Sequence, residues 1–239
     1  MGYKSPAPEV FIPAFAARAA AQSRPTGLPA LSPSAVHALT LPLDHSVRGR
    51  SRPTTRVIKD AGRSNLNYLA QFSTVQTLRD GRRVEIRAHQ PQDREGLREA
   101  MGRASAASLF RRFFSVTRRF SDEEESRFID VDFVNHVALV VVAEEEDGRH
   151  NVGEARYVVV KPGQAEVAFG IIDAYQRQGL GPALVRHLTT IARAAGLKEL
   201  IADVLLENEP MLKVFKRSGL PIRTQLGEDG VIHVTLDLA

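Results

Sequence analysis

The hexapeptide Gln176-Arg177-Gln178-Gly179-Leu180-Gly181 is the stretch whose composition most directly permits chemistry. Two glycines leave backbone N–H groups unshielded where Leu180, Leu184, Leu188 and Ile191 begin a helical spacing. The N-terminus of a helix carries free N–H donors and the positive end of the helix dipole, so this turn is an anion site. Pro182 suits the first helical turn, where its missing N–H costs nothing, and Gly196 is a natural stop. The strand that must deliver the turn lies just before it. Val167, Phe169 and Ile171 alternate with Glu166, Ala168 and Gly170, the period of a pleated segment.

Bulk properties remove several other chemistries. With no cysteine among 239 residues, disulfides, thiol nucleophiles and cysteine-metal sites are excluded. The seven histidines lack metal-ligand spacing and no HExxH occurs, so no metal site is expected. No apolar run approaches the ~18 residues of a membrane span, and the apolar patch from Val10 to Ala21 is broken by Pro13 and Arg18, a poor signal peptide. No membrane association is expected, and cytoplasmic residence is the default. The net charge of +4 invites a nucleic-acid reading, but nine Lys/Arg against three Asp/Glu up to Leu66 give that stretch +6 and leave the remainder at −2. Its Arg48-Gly49-Arg50-Ser51-Arg52 run has no aromatics to stack bases, so no specific nucleic-acid partner is expected.

The chain divides by composition. Residues 1–66 hold eight of the thirteen prolines amid Ala, Ser and Arg, without sustained periodicity, and read as a disordered tail. Residues 67–239 read as one α/β domain. Phe72 to Leu78 and Arg83 to Ala88 form a hairpin around Asp80-Gly81. Asp93 is the expected N-cap of a helix carrying Leu97, Met101 and Ala104 on one face. A second helix runs from Ser105 to Arg119. Its Leu109, Phe110, Phe113 and Phe114 are either core or a wall of an acceptor groove. Ser121-Asp122-Glu123-Glu124 reads as a capping box opening a third helix. Val137 to Val142 is a strand buried on both faces, and Asn151 to Val160 returns beside it. Glu199 to Leu206 is another buried strand. A helix from Asn208 to Ser218-Gly219 and strands over Ile222–Thr224 and Val231–Leu238 follow. The sum is a mixed sheet of about seven strands with four or so helices.

Competing glycine-loop grammars fail. There is no GxxxxGK for a Walker A loop, and the dinucleotide GxGxxG/A lacks its third small residue at Leu184. The turn resembles instead the acetyl-CoA signature of the GNAT N-acetyltransferase superfamily, Gln/Arg-x-x-Gly-x-Gly/Ala, through Gln176, Gly179 and Gly181. A second family element is matched in register: Asn208 opening the next helix, the aromatic Phe215 seven residues on, and Gly219-Leu220 where the family has Gly-Phe. The run Ser108 to Phe114, the Asp-Gly hairpin and Ala165-Glu166-Val167-Ala168 further resemble the Pat-type bacterial protein-lysine acetyltransferases, over roughly Leu78 to Pro221. Members of that group often carry a cyclic-nucleotide-binding or acyl-CoA-synthetase-like region, to which nothing here corresponds.

The resemblance implies a GNAT-like, mostly antiparallel sheet and acetyl-CoA as co-substrate. The pyrophosphate would meet N–H groups between Gln178 and Ala183, a stretch including Gly179, Leu180, Gly181 and Pro182, and a side chain on Gly179 or Gly181 would block it. Gln176, Arg177 and Gln178 would add polar contacts. The pantetheine arm would pair with Phe169, Gly170, Ile171 and Ile172, one of whose N–H groups would polarise the thioester carbonyl. Asn208 would hold the cofactor or a water, and Phe215 would pack on the arm. Many relatives have a tyrosine at this last position as proton donor, which phenylalanine cannot be.

An acceptor lysine, with an ordinary pKa near 10.4, costs about 4.6 kcal/mol to neutralise at pH 7. Glu166 is the candidate base: it lies opposite in phase to Val167 and Phe169, and the Pat resemblance places a catalytic glutamate there. The alternative for Glu166 is a solvent-facing strand residue, and Glu154 is a second candidate base. Without cysteine, direct attack of the amine on the thioester is the expected route. The resulting expectation is acetyl transfer to protein lysines, with acyl-CoA synthetases as protein partners. Small-amine acetylation and a non-catalytic acyl-CoA-binding module are the rivals.

Overall fold

A computed structural model describes residues 69–114, 121–227 and 230–239, without the side chains of 122–124 and 127. The expected tail, residues 115–119 and the pairing within the capping box fall outside the described residues; the second helix, expected to run on to Arg119, closes at Phe113, where Phe114 turns left-handed at φ +55°.

The alternating and apolar runs become β1 (Ser73–Thr77), β2 (Arg83–Ala88), β3 (His136–Glu145), β4 (Gly148–Lys161), β5 (Gln164–Ile171), β6 (Glu199–Leu205), β7 (Ile222–Leu226) and β8 (Val231–Asp237). They form one sheet in the order β1-β2-β3-β4-β5-β6-β8-β7, antiparallel throughout except for β5 beside β6. The described helices are α1 (Arg94–Arg103), α2 (Ala106–Phe113), α3 (Asp122–Ile129), α4 (Leu180–Ala194) and α5 (Glu209–Lys216), with short 3-10 turns at Pro91–Asp93 and Asp173–Tyr175. The architecture is the mixed α/β sheet the sequence implies, with eight strands and five α-helices among the described residues.

Strand alternation assigns the two faces. Val137, Leu139 and Val141 of β3, Ala155, Tyr157 and Val159 of β4, and Ala165 and Val167 of β5 form one core with Leu184, Leu188 and Ile191 of α4 and Phe215 of α5. The opposite phase, including Ala138 and Val140, is also buried, and a smaller cluster joins Leu97 and Met101 of α1, Leu109 and Phe113 of α2, and Phe128 and Ile129 of α3. β3 is therefore covered on both faces, as its unbroken apolar run requires.

Asp93 stands at the N-cap position of α1 but its side chain makes no cap bond. Both carboxylate oxygens go to Arg87 on β2, at 2.6 and 2.7 Å, and one also accepts the Gln90 N–H. A bidentate charged pair outcompetes a neutral N–H, so Asp93 ties the helix start to the sheet.

Two strand pairings decide where the molecule opens. β5 stays paired to β4 out to Ile171, and β6 stays paired to β8 out to Leu205. Between β5 and β6, however, only Gln164–Glu166 face Glu199–Ile201 in register. Past Glu166 the two halves of the sheet diverge. On the β4 side the packing is tight: a Cβ on Gly153 would lie 3.1 Å from the Gly170 carbonyl oxygen and 3.3 Å from Val141. Gly153→Ala is therefore expected to lower unfolding free energy by about 1–3 kcal/mol, seen in urea melts as a lower midpoint at unchanged slope.

Candidate active site

The divergence of β5 from β6 opens a cleft of about 800 Å³. Of the residues singled out by sequence, Glu166, Phe169, Gly170, Ile171, Gln176 and Arg177 line it, together with Gly179, Gly181, Pro182, Asn208 and Phe215. Ile172, Leu180 and Ala183 instead bury their side chains in the core, and Gln178 lies outside the lining.

The turn before α4 is built by two left-handed residues, Arg177 at φ +60° and Gly179 at φ +94°. Such reversals bring successive N–H groups to one side of the chain. The first helical N–H that finds an acceptor is that of Ala183, which donates to the Gly179 carbonyl at 3.3 Å. The N–H groups of Gly179, Leu180 and Gly181 have no acceptor among the described residues, as the first turn of a helix dictates. The available donors thus end at Gly181, short of Ala183. The glycines also have different tasks. A Cβ on Gly179 would meet nothing within 4 Å, so that position needs glycine for its φ; a Cβ on Gly181 would lie 3.2 Å from Val214 of α5. Gly181 therefore also lets α4 and α5 approach closely.

Other elements hold the turn in place. The β1–β2 hairpin loop lies against it: Arg79 donates its N–H to the Gln178 carbonyl and its guanidinium to the Arg177 carbonyl, and the Asp80 N–H donates to Gln178 Oε1. Gln178 is occupied in this lashing. Arg82 adds a bond to the Ala174 carbonyl and lies 4.1 Å over the Tyr175 ring. The Gln176 amide donates to Ser108 Oγ on α2 and to the Ile171 carbonyl, both at 2.9 Å. Asn208 caps α5 through a long 3.4 Å bond from the Met211 N–H. Phe215 is fully buried, edge-on to Phe169 at 5.9 Å. Arg79, Arg177, Lys213 and Arg217 also line the cleft, so cations accompany the free N–H groups.

The opposite face of β5 presents Glu166, Ala168 and Gly170 toward α2. Glu166 is buried at the last position paired to β6. Beyond it, α2 supplies Ser108, Arg111, Arg112 and, at its left-handed C-cap, Phe114 to the cleft wall. Leu109 and Phe113 are core, whereas Phe114 lines the groove, so the aromatic run divides between its two readings. Beneath this wall lies a buried charge cluster. Glu154 accepts from Arg112 at 2.8 Å through one oxygen and from Arg156 through the other. Arg156 is 0% exposed, donates to the Phe128 carbonyl and lies 4.4 Å from the Phe128 ring centre. Burial opposes ionisation of Glu154, but the Arg156 and Arg112 guanidiniums outweigh it and hold the carboxyl at about 2. A carboxylate so held cannot accept a proton near neutrality, which removes Glu154 as a base. Burial and then the Arg156 charge push His89 and His136 down to about 4.

Sequence reading passed over Arg79, Asp203 and His233, which line the same cleft. Arg79 belongs to the recognisable hairpin, but only tertiary contact brings it to the turn. Asp203 and His233 face each other across β6 and β8, a register without a local signature.

A family model described as an acetyltransferase (GNAT) domain matches residues 83–221. The chain is 35% identical over 138 residues to an acetyltransferase of Pseudomonas aeruginosa, covering 57% of this chain and 74% of that one. It is 34% identical over 128 residues to the acetyltransferase Pat of Mycolicibacterium smegmatis, covering 52% of this chain and 37% of the relative, so it spans little more than a third of that protein. The crystal structure of the GNAT domain of S. lividans PAT superposes with a TM-score of 0.62 at 32% identity, covering 69% of this chain and 96% of that one.

The buried groups predict acid sensitivity. His89 and His136 take up protons in the unfolded chain below about 6.5 but in the fold only near 4, so stability falls as pH drops through that window. Glu154, ordinarily 4.5, extends the loss from there toward about 2. Urea melts between pH 7.5 and 4 should show a steady decline; a flat profile would contradict the assignment. Glu154→Gln, which removes the anion shared by two guanidiniums, should cost about 3–5 kcal/mol at pH 7.

Proposed function

The chain belongs to the GNAT acetyltransferase family, and from that premise we propose that it transfers the acetyl group of acetyl-CoA to lysine side chains of proteins. Acetyl-CoA fits the cleft in three respects. The N–H groups of Gly179, Leu180 and Gly181 suit the pyrophosphate, with Arg79, Arg177, Lys213 and Arg217 as neighbouring cations. Among the described residues, the edge of β5 from Val167 to Ile171 has no strand partner on the β6 side, and it can pair with the amides of the pantetheine arm. Phe169 and Phe215 give that arm an apolar floor.

In this reading the thioester lies near the point where the strands part, and a β5 N–H polarises its carbonyl oxygen. The acceptor enters from the α2 face, where Glu166 takes a proton from the ammonium, directly or through water, and the amine attacks the carbonyl carbon. CoA leaves as the thiolate and is protonated from solvent or by the proton just removed, Phe215 having none to give. Protein lysine is favoured over a small amine by one observation, the overall likeness to Pat proteins: 34% identity to a Pat over 128 residues and a TM-score of 0.62 to a PAT GNAT domain support that reading. An acyl-CoA-synthetase-like protein is the proposed partner class.

Glu166→Gln should leave acetyl-CoA affinity intact while lowering kcat by roughly 10²-fold or more; an unchanged rate from pH 6 to 9 would remove Glu166 from the mechanism. Incubation with labelled acetyl-CoA beside a cell lysate and an amine panel should place label in protein lysines. Label in the amines alone would give the small-molecule reading, and label in neither the non-catalytic one.

A further inference from the structure

Transfer from a thioester to an ammonium takes two protons from the acceptor nitrogen: one when the ammonium becomes an amine, one when the tetrahedral adduct collapses to the amide. One of them ends on the CoA sulfur and the other must reach solvent. A single carboxylate at Glu166 serves one of these events at a time, and the same cleft is lined by a second group suited to the other.

Asp203 and His233 are register partners on β6 and β8, with His233 Nδ1 2.6 Å from Asp203 Oδ1. Asp203 follows Ile201, the register partner of Glu166, by two residues, so strand alternation puts it on the face of the sheet that carries Glu166. Both members line the cleft, on the β6–β8 side just beyond the point where β5 departs. An ionised carboxylate only accepts, so in the neutral ring Nδ1 carries the hydrogen and Nε2 keeps its lone pair. The ring is half exposed, and an exposed pair of this kind contributes little to stability. Its surroundings are nonetheless shaped for it, since a Cβ on Gly227 would come within 2.9 Å of Nε2.

We propose that Glu166 takes the first proton, from the ammonium, and passes it to sulfur, while His233, oriented by Asp203, accepts through water the second, lost from nitrogen as the tetrahedral adduct collapses, and delivers it to solvent. The balance closes: R–NH₃⁺ and acetyl-CoA give R–NH–acetyl, CoA–SH and one proton, which His233 releases to bulk after each turnover. Asp203 acts only by positioning the ring. This rests on amine acetylation as the activity.

The test uses the full chain with saturating acetyl-CoA and an acceptor that the unsubstituted protein acetylates. His233→Ala and His233→Gln should each lower kcat roughly tenfold or more at unchanged acetyl-CoA affinity. Added imidazole should restore much of the His233→Ala loss, which a merely structural role would not permit. Asp203→Asn should give a smaller fall in kcat. Unchanged kcat in both His233 variants, or a loss that imidazole does not relieve, overturns the proposal. Failure of the unsubstituted protein to acetylate any amine would instead overturn the reading on which it rests.

Discussion

The site depends on the place where one β-ladder stops. β5 and β6 share three register pairs and then part, because each remains hydrogen-bonded to its other neighbour, β4 or β8, for the rest of its length. A strand edge with unpaired N–H and C=O groups is normally a liability. Here it is enclosed between two half-sheets, with α4 and α5 on one side and α2 on the other, and it offers an extended ligand the pairing that β6 withholds. The anion-binding turn and Glu166 lie at opposite ends of the unpaired length of β5. In the proposed reaction, donor and acceptor would meet along this one strand.

Keeping that gap open requires rigid flanks, and the molecule supplies them by different means. On the turn side, hydrogen bonds to backbone carbonyls, from the Arg79 guanidinium of the hairpin loop and from the Gln176 amide, hold Arg177 in a left-handed backbone that non-glycine residues rarely adopt. On the acceptor side the brace is ionic. Arg112, Glu154 and Arg156 join α2, β4 and the carbonyl of Phe128 in α3. Burying such a cluster is seldom the most stable solution, since desolvation costs several kcal/mol per ion, but breaking it once buried is costlier still. Directional bonds hold α2 beside β5: the Arg112 stem lies 3.7 Å from where a Gly170 Cβ would be. Burial, reinforced by the Arg156 charge, holds the neighbouring His89 and His136 down to about 4.

Local patterns made much of this legible. The Asp80-Gly81 hairpin, the doubly buried β3, the strand–turn–helix around Gly179 and the Asn208 cap each rest on interactions within a few residues, and each formed where its residues indicated. The readings that shifted were those in which a distant partner competed. Asp93 is taken by Arg87 from another strand, Gln178 by the hairpin loop, and Glu154 by an arginine on a helix forty-two residues earlier. In each case the residue type was informative and its partner was not, because sequence spacing says nothing about which side chain arrives from elsewhere.

The sequence by itself determined the element types, the anion-binding turn and the strand phase that sets Glu166 apart from the core, since these follow from backbone sterics, hydrophobic periodicity and helix-end hydrogen bonding. The tertiary structure alone decided that β5 would leave β6 after Glu166, that Glu154 would be held between two guanidiniums, and that Asp203 and His233 would meet on neighbouring strands of one cleft wall. Those outcomes depend on register and on through-space charge between residues far apart in the chain, and neither is encoded in any local window.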